Sequence, residues 1–376
     1  MRIEWQNHAT SRLQSYHRRS VSPIMSPFKS VHSNNHGRQM TEITTLSQFL
    51  STAKTQFQVY DFGRKVQHID MLAFHQIESL VTPYPYPVQG HAQFAIVFWD
   101  ASQQHFIWFL KLALDEQGFL APAPRSQFIE MIINALGQDP TKALTDAQQE
   151  QLANNPFSFK PTAEKLAVFN ALVRKQLGQA ASVQYESAAE YLSGPSPADK
   201  WQHIGLQGIA DVCVRLSEHD HLSHIIGSFD YGAAEVQIAL CQCLEHLTLP
   251  KPLANNLLTK LCSAETEQKA FYLRALSSSK QHGIKAILYL QQHDLLDDNI
   301  LLAIAARNWT VLTDDATRSG YLEALAKQPQ GFFNQIFADI VAIPSLRTLM
   351  LAELRNPNRS DILSQAIGGL FKATTK

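Results

Sequence analysis

The side chains best suited to acid, base or ionic chemistry lie in a short stretch near residue 60. Asp61, Arg64, Lys65 and His68 follow one another there. Histidine titrates near neutral pH and can act as an acid or a base, while a carboxylate and a guanidinium can hold a polar ligand. The stretch therefore predicts a polar pocket. An ordinary solvated turn is the alternative, because no nucleophile, base and orienting group can be assigned there.

A second candidate is the segment YPYPVQG, from Tyr84 to Gly90, which His91 follows. Tyrosines such as Tyr84 and Tyr86 present large amphipathic surfaces, so the segment could be a recognition edge. The alternating prolines equally favour a rigid connection that directs the next strand. The predicted binding residues are Asp61, Arg64, His68, Tyr84, Tyr86 and His91, and no catalytic residue is predicted.

Two groups of residues contain the side-chain types that bind metals. Cys241 and Cys243 are followed by His246, but residues two apart on a helix lie on nearly opposite faces and cannot hold one ion. The cluster from Glu218 to His224 has suitable ligand types, yet nothing defines its geometry. The sequence contains no phosphate-binding loop, dinucleotide-binding glycine pattern or nucleophile elbow. No metal site and no cofactor are predicted.

The element that would position these residues is a hairpin from Phe94 to Leu114. Its first run, FAIVFW, is apolar at every position, as is expected of a strand covered on both faces. In the second run Phe106, Trp108, Leu110 and Leu112 point one way, while Ile107 and Phe109 point the other. The intervening DASQQ is suited to a hairpin loop.

The segments around this hairpin predict an α+β domain with a small antiparallel sheet, over residues 40–137. Thr45 and Gln48 form a capping box at the start of a helix, and Phe57–Phe62 reads as a strand. A second helix begins after Asp70. A third spans Phe128–Leu136 before a terminating glycine.

The rest of the chain predicts an all-helical domain. Residues 138–161 are polar and read as a linker, and residues 162–376 contain short amphipathic stretches separated by proline and glycine. This pattern is typical of a HEAT-like array, but no fixed repeat is evident, so an irregular helical bundle remains open.

The first 39 residues differ in composition from the remainder. They carry six Lys/Arg and one acidic residue, and they are rich in Ser, His and Asn. Such a segment is expected to be disordered, because it has too little apolar surface to bury. It could be a transit peptide, a basic arm, or residues upstream of a true start at Met40, and the third interpretation is favoured.

Overall charge bears on the class of partner. The formal net charge is -1, but without residues 1–39 the chain has 26 basic and 32 acidic residues. A mildly acidic body makes nucleic acid an unfavoured partner, because nonspecific binding depends on Lys and Arg at phosphates. No run is long and apolar enough to span a membrane, and four cysteines without disulfide-like spacing predict a reducing cytoplasm.

Three segments carry a resemblance to a known family. They are QVYDFGRKVQHI (Gln58 to Ile69), PYPYPVQGHAQFA (Pro83 to Ala95) and FIWFLKLALDEQG (Phe106 to Gly118). The chain from Met40 onward resembles a family of uncharacterised bacterial proteins known only as a domain of unknown function. The resemblance implies a bacterial, cytoplasmic setting and no activity, cofactor or catalytic residue.

These observations favour a non-enzymatic adaptor that binds another protein. The alternative is an enzyme or small-ligand binder with a polar pocket in the α+β domain. RNA association through a local basic face is a third, weaker hypothesis.

Overall fold

The computed structural model describes residues 43–100, 105–137, 140–141, 145, 155–195 and 200–374. The predicted N-terminal extension and most of the predicted linker lie outside these residues. All described residues belong to one compact unit that begins at Ile43. The boundaries of the two domains and of the linker therefore stay predictions.

The N-terminal part contains a four-stranded antiparallel sheet. Its strands are β1 (Gln56–Asp61), β2 (Gln67–Ile69), β3 (His91–Trp99) and β4 (His105–Ala113), in the order β2-β1-β3-β4. The two predicted strands of the hairpin are confirmed, with Phe94 opposite Leu110 and Phe98 opposite Phe106. Residues 101–104 of the predicted loop lie outside the described residues. Strand β2 was not predicted, because three residues are too few to show alternation and only pairing with β1 makes them a strand.

Both faces of the sheet are covered, as the apolar alternation predicts. Three helices, α1 (Leu46–Thr52), α2 (Met71–Glu78) and α3 (Pro122–Leu136), lie on the face that contains Phe94, Ile96 and Phe98. The opposite face, with Phe62 and Val97, packs against Phe169 of α4 (Ala163–Gln176).

Local signals explain where these helices begin and end. The Thr45 side chain accepts a hydrogen bond from Gln48 N at 3.1 Å, and the Asp70 carboxylate accepts from Leu72 N at 2.9 Å. Both satisfy backbone donors that the first turn of a helix leaves free. Gly137, with φ of 68°, ends α3 in the left-handed region that glycine adopts readily.

The helices continue to the end of the described chain. After α4 they are α5 (Tyr185–Leu192), α6 (Leu206–Val214), α7 (His221–Tyr231), α8 (Ala234–Leu244), α9 (Lys251–Ser263), α10 (Thr266–Ala275), α11 (Lys280–Gln292), α12 (Asp298–Ala306), α13 (Asp315–Ala326), α14 (Gln330–Val341), α15 (Pro344–Glu353) and α16 (Asp361–Thr374). The fold is thus an α+β part followed by an all-α part, as predicted. Among the described residues, no helix has both the length and the apolar character needed to cross a membrane.

These helices form a two-layer array. In the first layer α6, α8, α10, α12, α14 and α16 pack each on the next, and in the second layer α5, α7, α9, α11 and α13 do the same. Helices α8, α10, α12 and α14 begin at residues 234, 266, 298 and 330, a constant spacing of 32 residues. The packing therefore has the order of a repeat array rather than of an irregular bundle.

Candidate functional site

The turn between β1 and β2 is organised around the buried carboxylate of Asp61. It accepts hydrogen bonds from the backbone N–H groups of Gly63, Arg64 and Lys65 at 3.0, 3.3 and 3.2 Å. The Tyr84 hydroxyl donates to Asp61 Oδ1 at 2.7 Å. Burial raises the pKa of Asp61, and these hydrogen bonds act in the opposite direction. Asp61 thus shapes the turn and is closed off from solvent by its own donors.

Arg64 projects from this turn into the helical array. Its Nη1 donates to the carbonyl oxygen of Ala305 at 2.9 Å, and its Nη2 donates to Asp339 Oδ2 at 2.9 Å. The guanidinium also lies 5.6 Å from the ring centre of Trp309. The side chain is only 2% exposed, so the ion pair with Asp339 is strongly desolvated on the arginine side. Arg64 thereby joins the turn to α12 and α14.

Glu245, immediately after α8, is the second charged centre. Its carboxylate accepts from Arg274 Nε and from Arg307 Nε, both at 2.6 Å. Burial raises the pKa of Glu245, but Arg307 and Arg274 outweigh it and hold the pKa at about 2. Glu245 is therefore ionised and connects three successive first-layer helices at their C-terminal ends.

His246 connects this centre to the sheet. Its Nδ1 accepts a hydrogen bond from Val66 N at 3.1 Å, which assigns the ring proton to Nε2. That Nε2 has no hydrogen-bond partner among the described residues and lies 3.6 Å from Glu245 Oε1. Burial lowers the pKa of His246 to about 3, so the ring is neutral at neutral pH.

Two lysines complete the cluster. Lys165 Nζ donates to the carbonyl oxygens of Phe62 and Gly63, and burial followed by the charge of Arg307 lowers its pKa to about 8. Lys65 Nζ lies 5.7 Å from the ring centre of Trp309, and burial lowers its pKa too. The charged form of both lysines is therefore less stable here than in water.

We call this set of side chains the polar seam. It comprises Asp61, Arg64, Lys65, Lys165, Glu245, His246, Arg274, Arg307 and Asp339. Five are basic and three are acidic, besides the neutral histidine, so the polar seam carries an excess of positive charge.

A cleft of about 470 Å³ opens beside the polar seam. One wall is formed by two turns of the sheet, and the other by α12, α14 and the residues that follow them. The lining residues are Gly63, Arg64, Val88, Gln89, Gly90, Leu302, Ala306, Arg307, Gln335, Ile336, Ala338, Asp339 and Ala342. A side chain at Gly63 would approach Tyr86 O and Val88 Cγ2 at 3.1 Å, so glycine permits the close contact between the two turns.

The predicted binding residues lie in different environments. Asp61, Arg64 and Tyr84 converge, but they are buried rather than arranged on an exposed patch. Tyr86 is half-buried, with its ring centre 6.2 Å from that of Trp309. Of the six residues, only Arg64 lines the cleft.

The two predicted histidines lie outside the polar seam. His68 is exposed on β2, with its ring centre 5.4 Å from that of Tyr60. His91 is half-buried at the start of β3, and its Nδ1 lies 2.9 Å from Gln89 O. Neither lines the cleft.

Sequence reasoning missed the part of the polar seam that comes from the helices. These residues are Lys165, Glu245, Arg274, Arg307 and Asp339, whereas His246 was considered only as a metal ligand. A usable signal exists, because Arg307 and Asp339 are single charges in apolar helical stretches and are separated by the 32-residue spacing of the array. Among the described residues, no three His, Cys, Asp or Glu side chains are grouped so that they could hold a metal ion.

Comparison with known proteins places the chain in a family. No curated protein and no solved structure matches it. The resemblance seen in the sequence is confirmed by a family model that matches residues 41–371. The chain belongs to this family, DUF3549, whose members are described as proteins of unknown function.

Proposed function

We propose that the chain is a non-enzymatic adaptor that binds another protein through its helical array, in a bacterial cytoplasm. The observation that carries this proposal is the 32-residue spacing of the first-layer helices. Stacked helical repeats form extended surfaces that other proteins use for binding. The bacterial and cytoplasmic setting rests on the sequence resemblance and on the cysteine usage.

The exposed apolar side chains suggest which end of the array binds the partner. The large ones in the array are Leu288, Leu302, Leu351, Ile362 and Phe371, and Phe371 is 55% exposed. Val183, between α4 and α5, is a single exposed apolar side chain at the other end, and within the described helices from Tyr185 to Ile287 no large apolar side chain is exposed. Apolar and aromatic side chains supply much of the binding energy at the centre of protein interfaces. The C-terminal third is therefore the proposed partner surface.

Site-specific photocrosslinking in cells tests the adaptor proposal. A photoreactive amino acid at Leu351 or Phe371 should give one crosslinked product of constant mass. The same amino acid at Thr259, an exposed position on α9, serves as the control and should give none. Absence of a product at every position in the C-terminal third would contradict the proposal, and equal products at Thr259 would contradict the assigned surface.

The cleft favours a second function, the binding of a small molecule. Its volume of about 470 Å³ lies in the range typical of ligand sites, and its lining combines apolar side chains with a few polar groups. The pocket was expected in the α+β part alone. The proposed site lies between the α+β part and helices α12 and α14.

Thermal-shift screening against metabolites tests this second function. A ligand at about 100 times its dissociation constant should stabilise the protein by roughly 2.7 kcal/mol. The Ala338→Trp variant should lose the shift, because position 338 is exposed and lines the cleft. A shift that Ala338→Trp retains would place the ligand elsewhere.

A further inference from the structure

The cleft has an apolar wall and a cationic end. Val88, Leu302 and Ile336 contribute apolar side chains, and the Leu302 side chain is 48% exposed where it lines the cleft. Arg64, Arg307 and Asp339 lie at the charged end, where two guanidinium groups face one carboxylate. A ligand that fits both features has an apolar body and an anionic group.

Arg307 is the residue with donors to spare. Its Nε donates to Glu245 Oε1 at 2.6 Å and its Nη1 donates to Ala306 O at 3.2 Å. Its Nη2 has no hydrogen-bond partner among the described residues. Arg64, by contrast, uses both terminal nitrogens on Ala305 and Asp339, and its Nε, which has no partner among the described residues, is buried. Arg307 can therefore donate to an incoming anion without giving up Glu245.

The charge balance of the polar seam favours such an anion. Its five basic groups exceed its three acidic groups, and Arg307 repels both Lys65 and Lys165. Glu245 is shared between Arg274 and Arg307, so one carboxylate serves two guanidinium groups. A further negative charge near Arg307 would reduce this repulsion in a poorly solvated environment.

We propose that the cleft binds a small amphiphilic anion, with its apolar body against Leu302 and Ile336 and its carboxylate or similar group on Arg307. The inference rests on the second proposed function, ligand binding in the cleft. The concave cleft, with a volume of about 470 Å³ between two walls, has the size of a small-molecule site.

Ligand-observed NMR titration of the full chain tests the inference with three probes. Octanoate has an apolar body and a carboxylate, 1-octanol has the body alone, and inorganic phosphate has the charge alone. Octanoate should bind about ten- to a hundredfold more tightly than 1-octanol, the factor expected of a hydrogen bond to a charged group. Phosphate should bind more weakly than octanoate.

Variants assign the binding to the cleft. Arg307→Gln should reduce octanoate affinity by about tenfold or more and leave 1-octanol affinity unchanged. Ala338→Trp should abolish binding of both, whereas Ala352→Trp, at an exposed position on α15 outside the cleft, should change neither. Position 338 is exposed on α14, so we expect the Ala338→Trp variant to fold. It therefore remains informative if Arg307→Gln fails to fold.

The possible failures are distinguishable. Equal affinity for octanoate and 1-octanol, both sensitive to Ala338→Trp, would overturn the anionic ligand class and leave ligand binding in the cleft intact. Equal affinity for phosphate and octanoate would overturn the amphiphilic class. Octanoate binding that Ala338→Trp does not change would overturn the inference. A metabolite screen without hits, together with no binding of any probe, would overturn both this inference and the second proposed function.

Discussion

The sheet meets the rest of the protein in two contrasting regions, its apolar interior and the polar seam. In the interior, the rings of Phe62, Phe109 and Phe169 pack with centres 5.0 to 5.7 Å apart. In the polar seam, charged groups from a turn of the sheet contact the ends of successive helices. Aromatic rings need only a neighbour of suitable size and shape, whereas a buried charge needs a specific partner.

This difference separates the structural region from the candidate functional region. The interior is closed and uncharged, so it maintains the fold without offering a site. The polar seam has an excess of positive charge and adjoins the cleft. In addition, Nε2 of His246 has no hydrogen-bond partner among the described residues. Groups that burial keeps away from their usual pKa are common where proteins bind ligands.

The largest predicted effect concerns the interior. Phe62→Ala should lower the free energy of unfolding by about 4 kcal/mol, because Phe62 is fully buried and its loss leaves a cavity between three other aromatic rings. Denaturant unfolding measures this. Leu72→Ala, at a side chain that is 67% exposed, is the control and should change stability by less than about 0.5 kcal/mol. A small change in the free energy of unfolding for Phe62→Ala would mean that α4 does not cover this face of the sheet.

A smaller loss is expected in the polar seam. Glu245→Ala should cost about 3 kcal/mol, because it leaves Arg274 and Arg307 without their shared carboxylate. The exposed Glu130→Ala on α3 is the matched control and should have little effect. If both variants unfolded at the wild-type denaturant midpoint, the polar seam would not contribute to stability.

Acid should weaken the polar seam and leave the interior unaffected. The pKa of His246 is lowered from 6.5 to about 3, so the unfolded chain binds a proton between these values and the folded chain does not. The contribution of His246 to the free energy of unfolding is complete above pH 6.5. It falls as the pH decreases, by about 2 kcal/mol at pH 5.

The His246→Asn variant isolates this contribution, because the Asn carbonyl can still accept from Val66 N–H but does not titrate. Its stability between pH 6.5 and pH 5 should fall less than that of the wild type. Parallel pH profiles of the two proteins in urea unfolding would contradict the buried, neutral histidine.

The smallest predicted effect is that of the Tyr84 hydroxyl. Tyr84→Phe should cost about 1 kcal/mol, because it removes a buried donor from Asp61. Tyr60→Phe is the control, since the Tyr60 hydroxyl donates to the neutral, half-buried Gln58 and not to a fully buried carboxylate. Equal losses in the free energy of unfolding would show that the hydrogen bond to Asp61 contributes no more to stability than the one to Gln58.

The sequence by itself determined much of the α+β part. Alternation in the run from Phe94 to Trp99 predicted a strand with two apolar faces, and Thr45 and Asp70 marked helix starts that the structure confirms. These signals are local, because side-chain direction alternates along a strand and capping groups reach donors only two or three residues away. For the helical part, the amphipathic stretches predicted a HEAT-like array or an irregular bundle, without a fixed repeat to choose between them.

Only the tertiary structure decided which charges meet. Arg64 lies 241 residues from Ala305 and 275 from Asp339 along the chain, so no local pattern could pair them. Hydrophobic periodicity shows that a helix has a buried face, but it does not show which element covers that face. The sequence therefore determined the elements and the turn that carries Asp61 and Arg64, whereas packing decided that this turn lies against the helix ends at Glu245, Arg307 and Asp339.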